Sequence, residues 1–152
     1  MEGRGTHSDY SKPASLGFSA ASLVIASYTW RRWAQEVPLW HPELRCAGRA
    51  DGVGMVAGRL TIYDYKTSRK PKGPERVFDH YLQTSFYALA HNRLFETDIQ
   101  DVLILITVEN AEVQVFTGRV ADYEAALSAR IEQYHKGCVQ DVPTLAALQQ
   151  AA

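Results

Sequence analysis

Asp64 and Lys66 stand two residues apart in the run Leu60–Lys66, LTIYDYK. In an extended chain successive side chains alternate faces, so Ile62, Asp64 and Lys66 share one side and Tyr63 and Tyr65 take the other. Charged groups at the end of an otherwise apolar strand are costly to bury without partners. A second carboxylate, Asp51, arrives from the preceding strand of the same hairpin. Two carboxylates beside one lysine suit a hard divalent cation such as Mg²⁺, which prefers oxygen ligands. The lysine is then left to act on a phosphate or a water. A salt bridge at a strand end is the simpler alternative for Asp64 and Lys66.

The elements that position these groups follow from patterning. Gly48 to Ser68 reads as strand, tight turn, strand: Asp51 closes the first strand, Gly52, Gly54 and Gly58 make the bend, and Leu60 to Lys66 forms the second. Leu39 to Ala50 is the first strand region. Ahead of it, Ser19 to Gln35 has Leu23, Ile25, Ala26, Trp30 and Trp33 at helical spacing, which predicts a helix with Arg31 and Arg32 on its outer face. Glu36 follows just before Val37-Pro38, where a helix gives way to extended chain.

Arg69 to Val77, RKPKGPERV, is a loop with two prolines, a glycine and four cations: Arg69, Lys70, Lys72 and Arg76. It reads either as a solvated loop or as one that contacts phosphates. Phe78 to Phe95 is the clearest helix, with Asp79 as a candidate cap. Its buried side comprises Tyr81, Leu82, Ser85, Phe86, Leu89 and Leu94, and Gln83 and Tyr87 stack four residues apart. Asp101 to Val108 has the continuous apolar, β-branched character of a strand buried on both faces. Glu109 to Ala111 turns into a strand over Glu112 to Thr117. Asp122 to His135 is an amphipathic helix that Gly137 should stop. The order is helix, three strands, helix, two strands, helix, an α/β arrangement around a mixed sheet.

At 152 residues the chain has the length of one domain. The expected division is a flexible segment 1–18 rich in Gly, Ser and Pro, a folded unit 19–138, and a tail 139–152. A net charge of −1 supplies no overall attraction for a polyanion, so nucleic-acid binding requires local patches. Cys46 and Cys138 show no CxxC or Cys/His spacing, which argues against zinc or an iron–sulfur cluster and fits a reducing compartment. With no 18-residue apolar run and no signal-peptide core, a soluble, intracellular, cytoplasmic protein is expected.

Glu36, Gly48-Arg49-Ala50-Asp51, Asp64-Tyr65-Lys66-Thr67-Ser68 and Gln83-x-x-x-Tyr87, in this order, resemble the PD-(D/E)XK nuclease superfamily. The wording around them is most similar to its RecB-like branch, of the phage and mitochondrial genome maintenance exonuclease type. A lone DxK is common by chance, whereas this ordered set is far more specific. The resemblance spans roughly Glu36 to Thr117. It implies a restriction-endonuclease-like core, a central mixed five-stranded sheet flanked by helices.

The function it implies is a Mg²⁺- or Mn²⁺-dependent DNA nuclease, an exonuclease acting on single-stranded or frayed ends. Asp51 and Asp64 would then be metal ligands, joined by the backbone carbonyl of Tyr65. Lys66 would orient the attacking water or offset phosphate charge, and Glu36 would be the acidic residue that precedes the first strand. Gln83 and Tyr87 would brace the site and touch the DNA backbone. Gly5-Thr6-His7 is similar, with compressed spacing, to an N-terminal motif that makes His7 a further metal ligand. Arg31, Arg32 and the loop Arg69 to Arg76 could flank a strand-binding groove, with Trp30, Trp33, Trp40 and Tyr81 as stacking surfaces. A nuclease-fold module without turnover, holding DNA or a partner protein, is the alternative. An adaptation nuclease of CRISPR systems fits less well, because its cysteine cluster is missing.

Overall fold

Three antiparallel strands carry the chain from Trp30 to Ser68 in the computed structural model: β1 (Trp30–His41), β2 (Cys46–Val56) and β3 (Arg59–Ser68). The structure describes residues 30–140, with side chains over 33–137. The expectations for His7, for segment 1–18 and for the helix up to residue 29 therefore lie outside the described residues. The first hairpin turns through Pro42–Arg45, where the Arg45 N–H donates to the Pro42 carbonyl at 3.2 Å. The second turns on two residues, Ala57 and Gly58, with φ of 49° and 79°. Positive φ at both central residues matches the right-handed twist of the strands they join.

A 3₁₀ turn at Pro74–Arg76 leads into helix α1 (Phe78–Phe95), which crosses over to β4 (Asp101–Val108), parallel to β3. Parallel neighbours need such a crossover. Strand β5 (Gln114–Arg119) closes the sheet antiparallel to β4, and helix α2 (Val120–Gln140) ends the described chain. The strand order is β1-β2-β3-β4-β5. This mixed five-stranded sheet with two helices packed on it is the restriction-endonuclease-like α/β fold that the sequence predicts.

Alternation divides β3 as expected. Ile62 joins the helix-side core with Val37, Leu39, Ala50, Leu82, Phe86, Tyr87 and Leu127, whereas Tyr63 joins Leu103 and Leu105 in a cluster on the other face. Tyr81 of α1 stacks on Tyr123 of α2 with centroids 4.5 Å apart and also donates its hydroxyl to the Thr117 carbonyl. The two helices and the end of the sheet are thereby tied together.

Several local expectations are corrected. Residues 30–35 are not the end of a helix but the first half of β1, paired with β2 from Trp30↔Val56 onward. Cross-strand pairing along the whole of β2 outweighs a helical spacing of a few apolar residues. Gly52 and Gly54 do not form the bend; both lie inside β2, and Asp51 is mid-strand. A Cβ on Gly52 would collide with the ring and hydroxyl of Tyr63, so glycine here makes room for a buried ring. Asp79 does not cap α1; it lies in the first turn and pairs with Arg130 at 3.3 Å. Strand β5 starts two residues later than predicted, at Gln114, and α2 starts at Val120 and runs through Gly137 to Gln140. One glycine costs a helix only about 1 kcal/mol, and open space surrounds Gly137.

Tyr63 is fully buried and cannot swing away from an added methyl. Gly52→Ala is therefore expected to cost about 1–3 kcal/mol, read as a lower urea midpoint at an unchanged slope. A midpoint equal to that of the parent protein would show that the ring yields freely.

Candidate active site

The pleat slips by one residue midway along the paired strands β1 and β2. Ala34 and Val37 both pack on the helix-side core, as do Val53 and Ala50 opposite them, although each pair is three residues apart. Glu36, at φ of 51°, lies within the slip. The β2–β3 ladder runs from Val56↔Arg59 to Gly52↔Tyr63. Beyond it, the Asp51 side chain reaches across to β3, and its Oδ2 accepts the Tyr65 N–H at 2.7 Å. The N–H and C=O of one strand residue leave on the same side, so the Tyr65 carbonyl points into the same opening.

Asp64 and Lys66 lie one residue to either side of Tyr65, on the helix-side face. The Asp64 residue is 2% exposed, and Lys66 Nζ lies 2.6 Å from its Oδ2. That oxygen is buried and has no aligned hydrogen-bond donor; the ammonium is its counter-charge. Burial pushes the Asp64 carboxyl above its ordinary range. The Lys66 contact and charge pull it down, and the nearby Asp51 carboxylate pushes it up again. Two carboxylates that repel each other, one of them buried with an under-satisfied oxygen, favour a cation between them. Mg²⁺ is commonly held by one or two carboxylates, with waters and substrate phosphate completing its shell. Asp51 and Asp64 fit that role. Among the described residues no cluster of three or more His, Cys, Asp or Glu side chains could hold a metal.

Helix α1 forms the wall behind these groups. Gln83 Nε2 donates to Tyr87 Oη at 2.7 Å, so the two side chains stack as their spacing predicts. The Tyr87 ring lies over Gly48, and a Cβ there would come within 2.7 Å of its Cε1. The glycine three residues before Asp51 thus admits the tyrosine of α1 against β2. That contact ties two widely separated motifs into one structure.

The remaining expected residues are placed differently. Glu36 does not precede the first strand; it lies inside β1, well exposed, and pairs with Arg49 at 2.8 Å. Arg31 and Arg32 are not on a helix but in β1, opposite Met55 and Gly54. Arg69, Lys70 and Arg76 are exposed on the loop after β3. Lys72 is partly buried: its backbone exchanges two hydrogen bonds with the Gln114 side chain, at 2.8 and 3.1 Å. Its Nζ lies 3.0 Å from His80 Nε2. His80 is absent from the residues singled out in the sequence. Its signal was its place three and seven residues before Gln83 and Tyr87, on the same helix face.

A family model described as the PD-(D/E)XK nuclease superfamily matches residues 10–151, and the chain belongs to that superfamily. Nucleases of this superfamily hydrolyse phosphodiester bonds of nucleic acid and typically use a divalent metal. No curated protein matches the chain. Among solved structures it is similar to one titled "Crystal structure of SSO0001", at 15% identity and a TM-score of 0.48, over 86% of this chain and 60% of that one. The chain thus spans less than two thirds of the length of that protein. No helix among the described residues is long and apolar enough to cross a membrane.

The raised Asp64 carboxyl fixes a sign. The native state holds this proton more tightly than the unfolded chain, so stability falls as pH rises from the ordinary carboxylate value through the raised native one. In EDTA, melting temperature should fall as pH rises above the ordinary carboxylate value, and Asp64→Asn should remove this trend. At neutral pH, Mg²⁺ should raise the melting temperature of the parent protein and not of Asp64→Asn. Equal pH trends and equal Mg²⁺ responses in the two proteins would refute this account of the site.

Proposed function

We propose that the chain is a metal-dependent DNA nuclease of the RecB-like branch, acting as an exonuclease on single-stranded or frayed ends. The observation that carries this reading is the convergence of Asp51 and Asp64 beside Lys66 at the opening of the β2–β3 ladder. In this reading Asp51, Asp64 and the Tyr65 carbonyl hold Mg²⁺ or Mn²⁺. The bound cation supplies phosphate charge neutralisation and a water acidic enough to attack near neutral pH.

The chain's own groups do the rest. The two carboxylates fix where the scissile phosphate sits. Lys66, whose Nζ lies 2.6 Å from Asp64 Oδ2, would offer a point charge to the non-bridging phosphate oxygens or orient the water. Water adds across one P–O bond, leaving a phosphate monoester on one fragment and a hydroxyl on the other. Gln83 and Tyr87, locked to each other and to Gly48, brace the site and contact the strand backbone. Exposed Arg69, Lys70 and Arg76 line the approach as phosphate contacts. The preference for unpaired strands is supported by Trp33 and Trp40, whose rings are exposed on the edge strand β1 and suited to stacking on bases.

The test is digestion of end-labelled linear single-stranded, linear double-stranded and circular single-stranded DNA with Mg²⁺, Mn²⁺ or EDTA. Loss of the linear single strand alone, abolished by EDTA and reduced about 10²-fold or more in Lys66→Ala, is the expected result. Cleavage of circles would make the enzyme an endonuclease. Folded protein inactive with every metal would leave a module that binds without turnover.

A further inference from the structure

The loop after β3 is fastened rather than loose. Ser68 Oγ donates to the Lys70 carbonyl at 2.6 Å, and the Gln114 amide grips the Lys72 backbone on both its N–H and its C=O. This clamp fixes the start of the Lys72 side chain, whose ammonium ends 3.0 Å from His80 Nε2 on the first turn of α1. An ammonium can only donate, so the imidazole accepts at Nε2 and carries its proton at Nδ1. Burial, then the charges of Lys72 and Lys66, hold His80 below its ordinary pKa, against the weaker opposite pull of Asp79. Lys66 is therefore near enough to act on the same ring.

Three basic groups thus converge beside the carboxyl end of β3. Lys66 has Asp64 as its counter-ion. Among the described residues neither Lys72 nor His80 is paired with a carboxylate, and the neighbouring Asp79 turns outward to Arg130. Two basic side chains held in contact without an anion, their backbone clamped in place, form a cradle for one. His80 shares its helix face with Gln83 and Tyr87, so an anion held there lies along the wall of the site.

We propose that Lys72 and His80 form a second phosphate subsite, which holds a phosphate of the substrate strand other than the scissile one. The inference rests on the nuclease reading above and assigns His80 a binding role there. Such a contact is blind to sequence and sets the position of the strand. An anion seated between the two groups also favours the doubly protonated ring.

The test measures binding of a fluorescent single-stranded oligonucleotide, with Ca²⁺ in place of Mg²⁺, to the parent protein, Lys72→Ala and His80→Gln. Each variant should weaken binding about equally for unrelated sequences, and Lys72→Ala should lower the slope of log affinity against log salt by about one unit. In cleavage assays the loss should fall on KM. Inorganic phosphate should move the His80 ring proton resonances in the parent protein and not in Lys72→Ala. Comparing strands with a 5′-phosphate and a 5′-hydroxyl identifies the source. A loss confined to the phosphorylated strand means a terminal phosphate; an equal loss for both means an internal phosphodiester. Unchanged affinity and salt slope in folded variants of a protein that cleaves DNA would overturn the subsite alone. Lys72-dependent binding without cleavage by any metal would overturn the nuclease reading and leave the subsite standing.

Discussion

The bond from the Tyr65 N–H to Asp51 Oδ2 is the constraint on which the site depends. A buried strand N–H must be paired, and the usual partner is the carbonyl of the next strand. Here a carboxylate takes that place, so β2 and β3 part without stranding a donor. A bond to an ionised acceptor is also stronger than the neutral one it replaces. The same interaction brings the Asp51 charge beside Asp64 and turns the Tyr65 carbonyl into the opening. One hydrogen bond thereby couples the end of a ladder to the gathering of these oxygens at one opening.

Such an opening needs rigid walls, and α1 is held at both ends to provide one. At its start, Val77 is fully buried and the Lys72–Gln114 clamp ties the incoming loop to β5. At its end, Glu96 takes a left-handed conformation and the Asn92 side chain exchanges two hydrogen bonds with Ile99, closing the link to β4. His91, Thr97 and Asn92 form a short hydrogen-bonded chain beneath that link. Between these anchors, contact of Tyr87 with Gly48 sets how closely the helix approaches β2. The energetic tension lies at Asp64, whose burial opposes its charge. Lys66 relieves this only in part, which leaves the carboxylate receptive to a cation.

Much of this was legible in the residues. The alternation of Ile62, Asp64 and Lys66 against Tyr63 and Tyr65 depends only on the pleat, and the structure keeps it. The Gln83–Tyr87 pair follows from helical spacing in the same way. The continuous apolar run of β4 announced a strand buried on both faces, and so it is. What failed was any judgement that needed a distant partner. Residues 30–35 have an apolar spacing compatible with a helix, and only the length of β2 opposite them makes them strand. Gly52 resembles a turn residue until the Tyr63 ring is placed over it.

By itself, then, the sequence determined the alternation of the strand that carries Asp64 and Lys66, the helix that carries Gln83 and Tyr87, and the sheet class. Each of these rests on short-range periodicity that any window of the chain displays. Tertiary structure alone decided that Asp51 reaches Tyr65, that Gly48 receives Tyr87, that Glu36 faces Arg49, and that Lys72 meets His80. Those contacts join residues from different elements. Their geometry is set by a slip in the pleat, a ladder that ends early and a clamped loop, none of which leaves a local mark in the order of the amino acids.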